Sequence, residues 1–160
     1  MKEEGVDAWV QLCAFYVGKE EYAVDILRVE EILHPLPVTA VPHAPAFVEG
    51  VVNLRGLIIP VVDLRKRLGA GPPPPRIKPK MMVSLVGGRR VALLVDGVSE
   101  VIRLRKSELK PSPTMSLGAA APYVIGVCGP ANRLKLLLNL KAVLQADSPG
   151  APGRAGAGAG

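Results

Sequence analysis

The sequence predicts an all-β protein, and three observations support this fold class. Short apolar runs rich in valine, leucine and isoleucine recur along the 160 residues, and branched Cβ atoms pack well on a pleated sheet. The 17 glycines and 16 prolines interrupt these runs too often for long helices. Aromatic residues make up only 4% of the chain, so the core must be aliphatic. These features favour a β-sandwich or barrel over a helical bundle.

The clearest hairpin lies at the centre of the chain. Apolar runs at 50–54 and 57–64 flank Arg55-Gly56, where glycine can adopt the positive φ that a tight reversal requires. An arginine at such a turn has no packing role. Arg55 is therefore either a solvated turn charge or a group directed at a partner, and the turn alone does not distinguish these interpretations.

Turn residues between other apolar runs predict further strands. The predicted strands are 9–17 and 21–26, 81–86 and 91–95 about Gly87-Gly88, 98–104, 123–128 and 133–140. Four prolines between 34 and 45 indicate an extended connection, with a short edge strand at 38–41.

Three short segments have a helical pattern. Residues 27–33 place three apolar side chains on one helical face, and Pro35 would end this segment. Residues 63–68 form a second candidate helix, which Gly69 would end. The third candidate is a helical turn at 140–144.

A proline-rich insert interrupts the chain near its middle. Gly71 and the four prolines after it cannot join a helix or an inner strand, so they form a surface loop or a spacer. We expect one domain over residues 1–148, with two lobes that divide near 70–79. Residues 149–160 lack the apolar surface that offsets ordering entropy, which predicts a disordered Gly/Ala-rich tail.

Charge is distributed unevenly along the sequence. The net charge is +6, yet the first 31 residues hold three basic and eight acidic side chains. This separation either steers protein partners to two faces or is ordinary solvated charge. The pI of about 9.6 raises a small nucleic-acid-binding β-barrel as an alternative. Against it, five of the six aromatic residues fall in or beside the acidic N-terminal third, away from the basic segments at 65–67 and 103–106.

The sequence contains no convergent catalytic or metal-binding pattern. Cys13 and Cys128 lie inside apolar runs, where a buried thiol behaves as a small hydrophobic side chain. His34 and His43 share one loop without further ligands at metal-binding spacing. We therefore predict a binding or scaffolding module, not an enzyme, with no metal and no cofactor. The N-terminus lacks an apolar leader and no run approaches ~18 apolar residues, so we expect a cytoplasmic protein without membrane insertion.

Four motifs occur in a specific order and spacing. They are Val29-Glu30-Glu31-Ile32-Leu33, Asn53-Leu54-Arg55-Gly56, Pro60-Val61-Val62-Asp63-Leu64-Arg65 and Val95-Asp96-Gly97-Val98. With these motifs, most of residues 10–145 resembles the chemotaxis coupling protein family (CheW-like), which is related to the regulatory domain of the histidine kinase CheA. The insert at 71–75, residues 119–122 and the tail are not features of this family.

The resemblance implies a fold and a role. The fold would be two small five-stranded SH3-like β-barrels packed around a shared apolar seam, with a few short helices. The role would be a non-enzymatic adaptor that couples the cytoplasmic tip of methyl-accepting chemoreceptors to CheA in bacterial chemotaxis. The alternatives are a CheW-like scaffold of a related non-flagellar signalling pathway and the nucleic-acid-binding barrel.

The resemblance also implies site residues. An apolar groove would receive the receptor tip, and the positions that match the family motifs there are Val29, Glu31, Gly50, Val51, Leu54 and Arg55. Within this set, Arg55 and Glu31 match a pair that two parallel hydrogen bonds would hold together. Met115 matches an apolar position that contacts the kinase.

Overall fold

The computed structural model describes residues 7–112 and 117–145, which form ten strands and two short helices. The strands are β1 (Trp9–Val17), β2 (Glu20–Asp25), β3 (Val29–Leu33), β4 (Val48–Leu54), β5 (Leu57–Asp63), β6 (Lys80–Val86), β7 (Arg89–Val95), β8 (Gly97–Arg105), β9 (Val124–Cys128) and β10 (Lys135–Leu138). The helices are α1 (Leu64–Leu68) and α2 (Leu140–Leu144), and 3₁₀ turns cover Ile26–Arg28, Lys106–Glu108 and Gly118–Tyr123.

The strands form two five-stranded sheets, which confirms the all-β class. The first sheet has the order β8-β1-β2-β10-β9, and the second sheet has the order β3-β6-β7-β5-β4. The chain enters the second sheet after β2 and returns to the first sheet after β7. The expected division at 70–79 does not coincide with a change of sheet, because it lies between α1 and β6, where the chain stays with the second sheet.

Neither sheet closes into a barrel, so this part of the expected fold is corrected. Thr39, which follows β3, pairs with Val51 of β4 through two backbone hydrogen bonds of 2.8 Å. Lys110, which follows β8, pairs with Val127 of β9 through two bonds of 2.9 Å. Among the described residues, each of these isolated pairs stands where a closed barrel would have a continuous ladder. The predicted edge strand at 38–41 is thus reduced to Thr39.

The second half of the chain repeats the pairing of the first half. Parallel pairing joins β5 to β7 and β10 to β2 in matching registers. A β-bulge interrupts β3 where it pairs with β6, and β8 has a bulge at the matching place against β1. Strands β1–β5 therefore correspond to β6–β10, and each half contributes strands to both sheets.

The two helices occupy matching positions in this repeat. Asp63 ends β5, and its side chain accepts a hydrogen bond from the amide of Arg65, as expected at a helix N-cap. Asn139 follows β10 and accepts from the amide of Ala142 in α2. Gly69 ends α1 in the left-handed conformation. The predicted helices at 63–68 and 140–144 are confirmed.

The helix predicted at 27–33 is wrong. Only Ile26–Arg28 form a 3₁₀ turn, and the rest is the edge strand β3, paired with β6. The apolar spacing was misleading because Ile32 is exposed, whereas Glu31 shares the half-buried face of Val29 and Leu33. Pairing with a distant strand decided this segment, and local periodicity could not reveal that partner.

The largest apolar cluster fills the space between the sheets. It combines Phe15 and Val24 of the first sheet with Met82 and Leu93 of the second sheet, and it includes Leu64 of α1. Each sheet also has a smaller cluster of its own. The shared apolar seam is therefore the main core of the protein.

A buried ion pair connects the same regions. Arg65 of α1 binds the Asp96 carboxylate through Nε at 2.8 Å and Nη2 at 2.6 Å. Asp96 also accepts a 2.8 Å hydrogen bond from the amide of Gly18 in the β1–β2 turn, and Arg65 donates to the Gly71 carbonyl. Hydrogen bonding to Asp96 raises the pKa of the Arg65 guanidinium, which remains charged.

Candidate partner-binding surface

The expected receptor-binding residues lie on the two edge strands of the second sheet. Val29 and Glu31 belong to β3, whereas Gly50, Val51 and Leu54 belong to β4. Arg55 follows β4 in the turn to β5. Strands β3 and β4 lie at opposite ends of the strand order, so only curvature of the sheet can bring these residues together.

Arg55 and Glu31 contact each other across this open side of the sheet. The Arg55 Nη2 atom donates a short hydrogen bond to Glu31 Oε2, and Nη1 lies 3.5 Å from Oε1. The side chains are 69% and 34% exposed, so partners can reach the pair. Hydrogen bonding to Glu31 raises the pKa of Arg55.

The geometry of the β4–β5 turn directs Arg55 towards Glu31. Arg55 and Gly56 have φ values of 51° and 89°, which is the conformation of a type I′ hairpin turn. The Asn53 side chain accepts a 2.8 Å hydrogen bond from the Gly56 amide and stabilises the turn. The confirmed hairpin and the ion pair together explain why an arginine occupies this turn.

Gly50 has a packing role in addition to any role in binding. Its φ is +148°, and a Cβ atom at this position would lie 2.1 Å from the carbonyl oxygen of Thr39. The glycine therefore lets the segment after β3 pass over β4 and pair with Val51.

The remaining expected residues differ in accessibility. Val29 and Val51 are half-buried, so both could contact a partner. Leu54 is only 7% exposed and packs in the core of the second sheet, so it supports the surface from beneath. Met115 lies outside the described residues.

The structure also reveals an apolar cavity that the sequence analysis did not predict. Its volume is about 700 Å³, and Phe47, Ile58, Pro60, Val86 and Leu144 line it. Ile58 is 64% exposed, although it lies within a strand. The sequence did contain a signal for this exposed apolar surface. Residues 57–59 are all apolar, and because successive strand side chains face opposite sides, both faces of the strand carry apolar groups.

An arginine beside this cavity holds the two helices together. The Arg67 guanidinium lies 3.8 Å from the ring centre of Phe47 and 4.9 Å from that of Tyr123, which are matching residues in the two halves of the repeat. It also donates to the Val143 carbonyl at 2.8 Å, at the C-terminal part of α2. Arg67 thus links α1 to α2 and fixes one border of the cavity.

Cys13 and Cys128 are buried, and burial raises the pKa of both thiols. Within residues 7–112 and 117–145, no three His, Cys, Asp or Glu side chains are grouped as a metal site. The same residues contain no helix long and apolar enough to cross a membrane.

Comparisons with known proteins agree with this architecture. The family model described as "CheW-like domain" matches residues 11–148. The chemotaxis protein CheW of Rhizobium meliloti is 36% identical over 137 residues, which cover 86% of this chain and 88% of the relative. CheW of Klebsiella aerogenes is 34% identical, with 83% of this chain and 80% of that protein covered.

A solved structure has the same fold. The scaffolding protein TtCheW from Thermoanaerobacter tengcongensis superposes with a TM-score of 0.78 at 28% sequence identity. The match covers 88% of this chain and 95% of that protein. The family model covers well over half of the chain, and two relatives exceed 30% identity over most of their lengths. This chain therefore belongs to the CheW-like family.

Proposed function

We propose that this protein is a non-catalytic adaptor that couples chemoreceptors to the histidine kinase CheA in chemotaxis signalling. The observation that carries the proposal is the CheW-like match over residues 11–148, combined with relatives named as chemotaxis proteins. The fold supports it, because the scaffolding protein TtCheW has the same fold at 28% sequence identity.

The receptor tip would bind the curved side of the second sheet, where β3 approaches β4. Val29 and Val51 would supply apolar contacts, and the Glu31–Arg55 pair would orient the incoming helices. Gly50 and Leu54 would act indirectly by shaping this surface. The regulatory domain of CheA would contact Met115.

Purified full-length protein can be tested with a receptor cytoplasmic fragment and CheA from the same organism. We expect Val51→Asp to weaken receptor binding about tenfold or more, because a carboxylate would be desolvated in an apolar contact. Ile125→Asp is the matched control, since Ile125 is an exposed strand residue of the first sheet. Receptor-dependent CheA autophosphorylation should fall with Val51→Asp alone.

Two results would contradict the proposal. One is wild-type protein that binds neither the receptor fragment nor CheA. The other is equal receptor binding by wild type and a folded Val51→Asp variant, which would remove this surface from the site. The names of the relatives give no support to the nucleic-acid alternative. The other alternative, a scaffold of a related signalling pathway, is tested by the same assay with receptors of that pathway.

A further inference from the structure

A tryptophan and two arginines meet on the first sheet, at the N-terminal end of β1, whereas the expected receptor surface lies on the second sheet. The expected separation of the aromatic residues from the basic segment at 103–106 is therefore wrong for Trp9. The ring of Trp9 has the Arg103 guanidinium 4.1 Å and the Arg105 guanidinium 4.3 Å from its centre. Trp9 is 47% exposed, and both arginines are exposed. We call these three residues the Trp–Arg patch.

Strand register explains the arrangement. Trp9 of β1 lies directly opposite Arg105 of β8, and Arg103 is two residues earlier on β8, hence on the same face. The opposite face of these strands carries Leu12 and Leu104, which are buried in the core of the first sheet. On the face of the patch itself, Cys13 and Phe15 are buried between the sheets, so the patch occupies the exposed N-terminal end of that face.

An acidic group lies near the patch without forming an ion pair with it: hydrogen bonds from Ser107 and, less strongly, the charge of Arg105 lower the pKa of the Asp7 carboxyl. Among the described residues, no carboxylate lies within ion-pair distance of Arg103 or Arg105, and the Arg105 side chain donates only to the Asp7 carbonyl at 3.1 Å. The neighbouring carboxylates have other partners. Asp7 accepts hydrogen bonds from the amide and hydroxyl of Ser107, and Glu108 accepts from the Arg105 amide.

Stacking on the indole leaves the guanidinium edges available. A guanidinium whose face lies against an aromatic ring can still form two parallel hydrogen bonds to a carboxylate through its N–H groups. The two arginines are separated by about 6.6 Å along the strand, which is the distance between alternate side chains of any extended chain. An extended segment with acidic residues at positions i and i+2 would match both.

We propose that the Trp–Arg patch binds an extended acidic segment of a partner protein, with Asp or Glu at alternate positions. Complementary charge and matching spacing identify this ligand. A nucleic acid fits less well, because a base would need the indole face that the guanidinium groups already cover. The proposal is independent of receptor and kinase binding.

The single tryptophan of the chain makes this site directly observable. The full-length protein is titrated with the peptide acetyl-Ser-Glu-Ser-Glu-Ser-Glu-Ser-amide while Trp9 fluorescence is recorded. The comparison peptide is its isomer with three consecutive glutamates, and the third probe is an oligothymidylate of equal negative charge. We expect saturable changes in emission with the alternating peptide, and about fivefold weaker binding of the isomer.

Variants separate specific recognition from general charge. Arg103→Gln combined with Arg105→Gln should weaken binding of the alternating peptide about tenfold. The matched control, Arg76→Gln with Lys78→Gln, removes two exposed charges at the same spacing away from Trp9 and should leave binding nearly unchanged. Arg103→Lys with Arg105→Lys keeps the charge but loses the planar fork, so it should behave like the glutamine variant.

Several outcomes would overturn the proposal. They are equal affinities for the two peptide isomers, equal losses in the patch and control variants, full binding by the lysine variant, or tighter binding of the oligothymidylate. Thermal unfolding of each variant checks that its fold is intact. Since all four substituted side chains are exposed, we expect unchanged melting temperatures.

Discussion

The two sheets use matching positions differently. In each sheet, a glutamate follows the β-bulge of an edge strand, namely Glu31 in the second sheet and Glu100 in the first sheet. An arginine approaches each glutamate. Arg55, between β4 and β5, approaches Glu31, and Arg133, between β9 and β10, approaches Glu100. The backbone repeat therefore places similar charges at similar points.

The surroundings of the two glutamates differ. Within the part of the chain that the structure describes, Glu31 has one ion-pair partner, and both members of that pair are accessible to solvent. Glu100 instead contacts the buried Lys135 at 3.2 Å, and Lys135 lies 3.6 Å from the buried Glu21. Glu21 also accepts a 2.5 Å hydrogen bond from the Ser99 hydroxyl. At these matching positions, the first sheet thus has a network that includes buried charges, whereas the second sheet has a pair of surface side chains.

This difference separates two uses of charge. An exposed ion pair contributes about 0–1 kcal/mol to stability, so it can serve orientation and partner binding at little structural cost. A buried network must stay complete, because loss of one member leaves other charges without compensation. The repeat supplies the positions, and burial of the partner side chain determines what each position does.

The largest expected effect concerns Gly50 and Gly126, which lie against the backbone of Thr39 and Lys110 at the two isolated β-bridges. Gly50→Ala should lower the free energy of unfolding by about 4 kcal/mol, because the new Cβ would meet the Thr39 carbonyl and the backbone has positive φ. Gly126→Ala, the matching change in the first sheet, should cost about 1–2 kcal/mol. Its Cβ would lie 2.9 Å from the Lys110 carbonyl.

Urea denaturation of both variants measures this difference. Equal losses of stability would contradict the strained role of Gly50. Because the Gly50 change acts on folding, a substitution there cannot test receptor binding on its own.

The next effect concerns the charge network of the first sheet. Glu21→Ala should destabilise the protein by about 3 kcal/mol, since it leaves buried Lys135 with only the exposed Glu100 and removes the Ser99 hydrogen bond. Glu31→Ala, which removes a glutamate from an exposed pair of the second sheet, should cost less than about 1 kcal/mol. Denaturation midpoints of the two variants compare them. A larger loss with Glu31→Ala would reverse our distinction between the sheets.

The smallest stability effect concerns the surface pair itself. A double-mutant cycle of Glu31→Ala and Arg55→Ala should give a coupling energy of about 0.5 kcal/mol in unfolding experiments, because both groups are exposed. The same cycle measured by receptor binding should show a larger coupling if the pair orients the partner. Absence of coupling in both measurements would show that the contact between Arg55 and Glu31 has no energetic role.

Local chemistry made much of this fold predictable. The glycines at 56 and 87–88 identified two hairpins, because positive φ is needed at those turns. Asp63 and Gly69 identified the ends of α1 through capping. These features depend on residues close together in the chain, so the sequence contains their full cause.

The candidate site was only partly predictable, because its geometry depends on residues that are far apart in the chain. Family motifs identified Glu31 and Arg55, and the structure places these residues in contact although 24 positions separate them. Leu54 was expected at the surface but is buried, because its side chain lies on the face of β4 that packs into the core of the second sheet. Exposure depends on which face of a sheet is covered, and distant strands supply that cover.

The sequence by itself determined the all-β class, the hairpins, the caps of α1 and the CheW-like membership. Only the tertiary structure decided that β3 is a strand, that the halves of the chain exchange strands between two open sheets, and that Glu100 pairs with a buried lysine while Glu31 pairs with an exposed arginine. The physical reason is the separation in sequence between the residues that interact. Turns and caps are satisfied by neighbouring residues, whereas strand partners, burial and ion pairs require contacts between residues far apart in the chain.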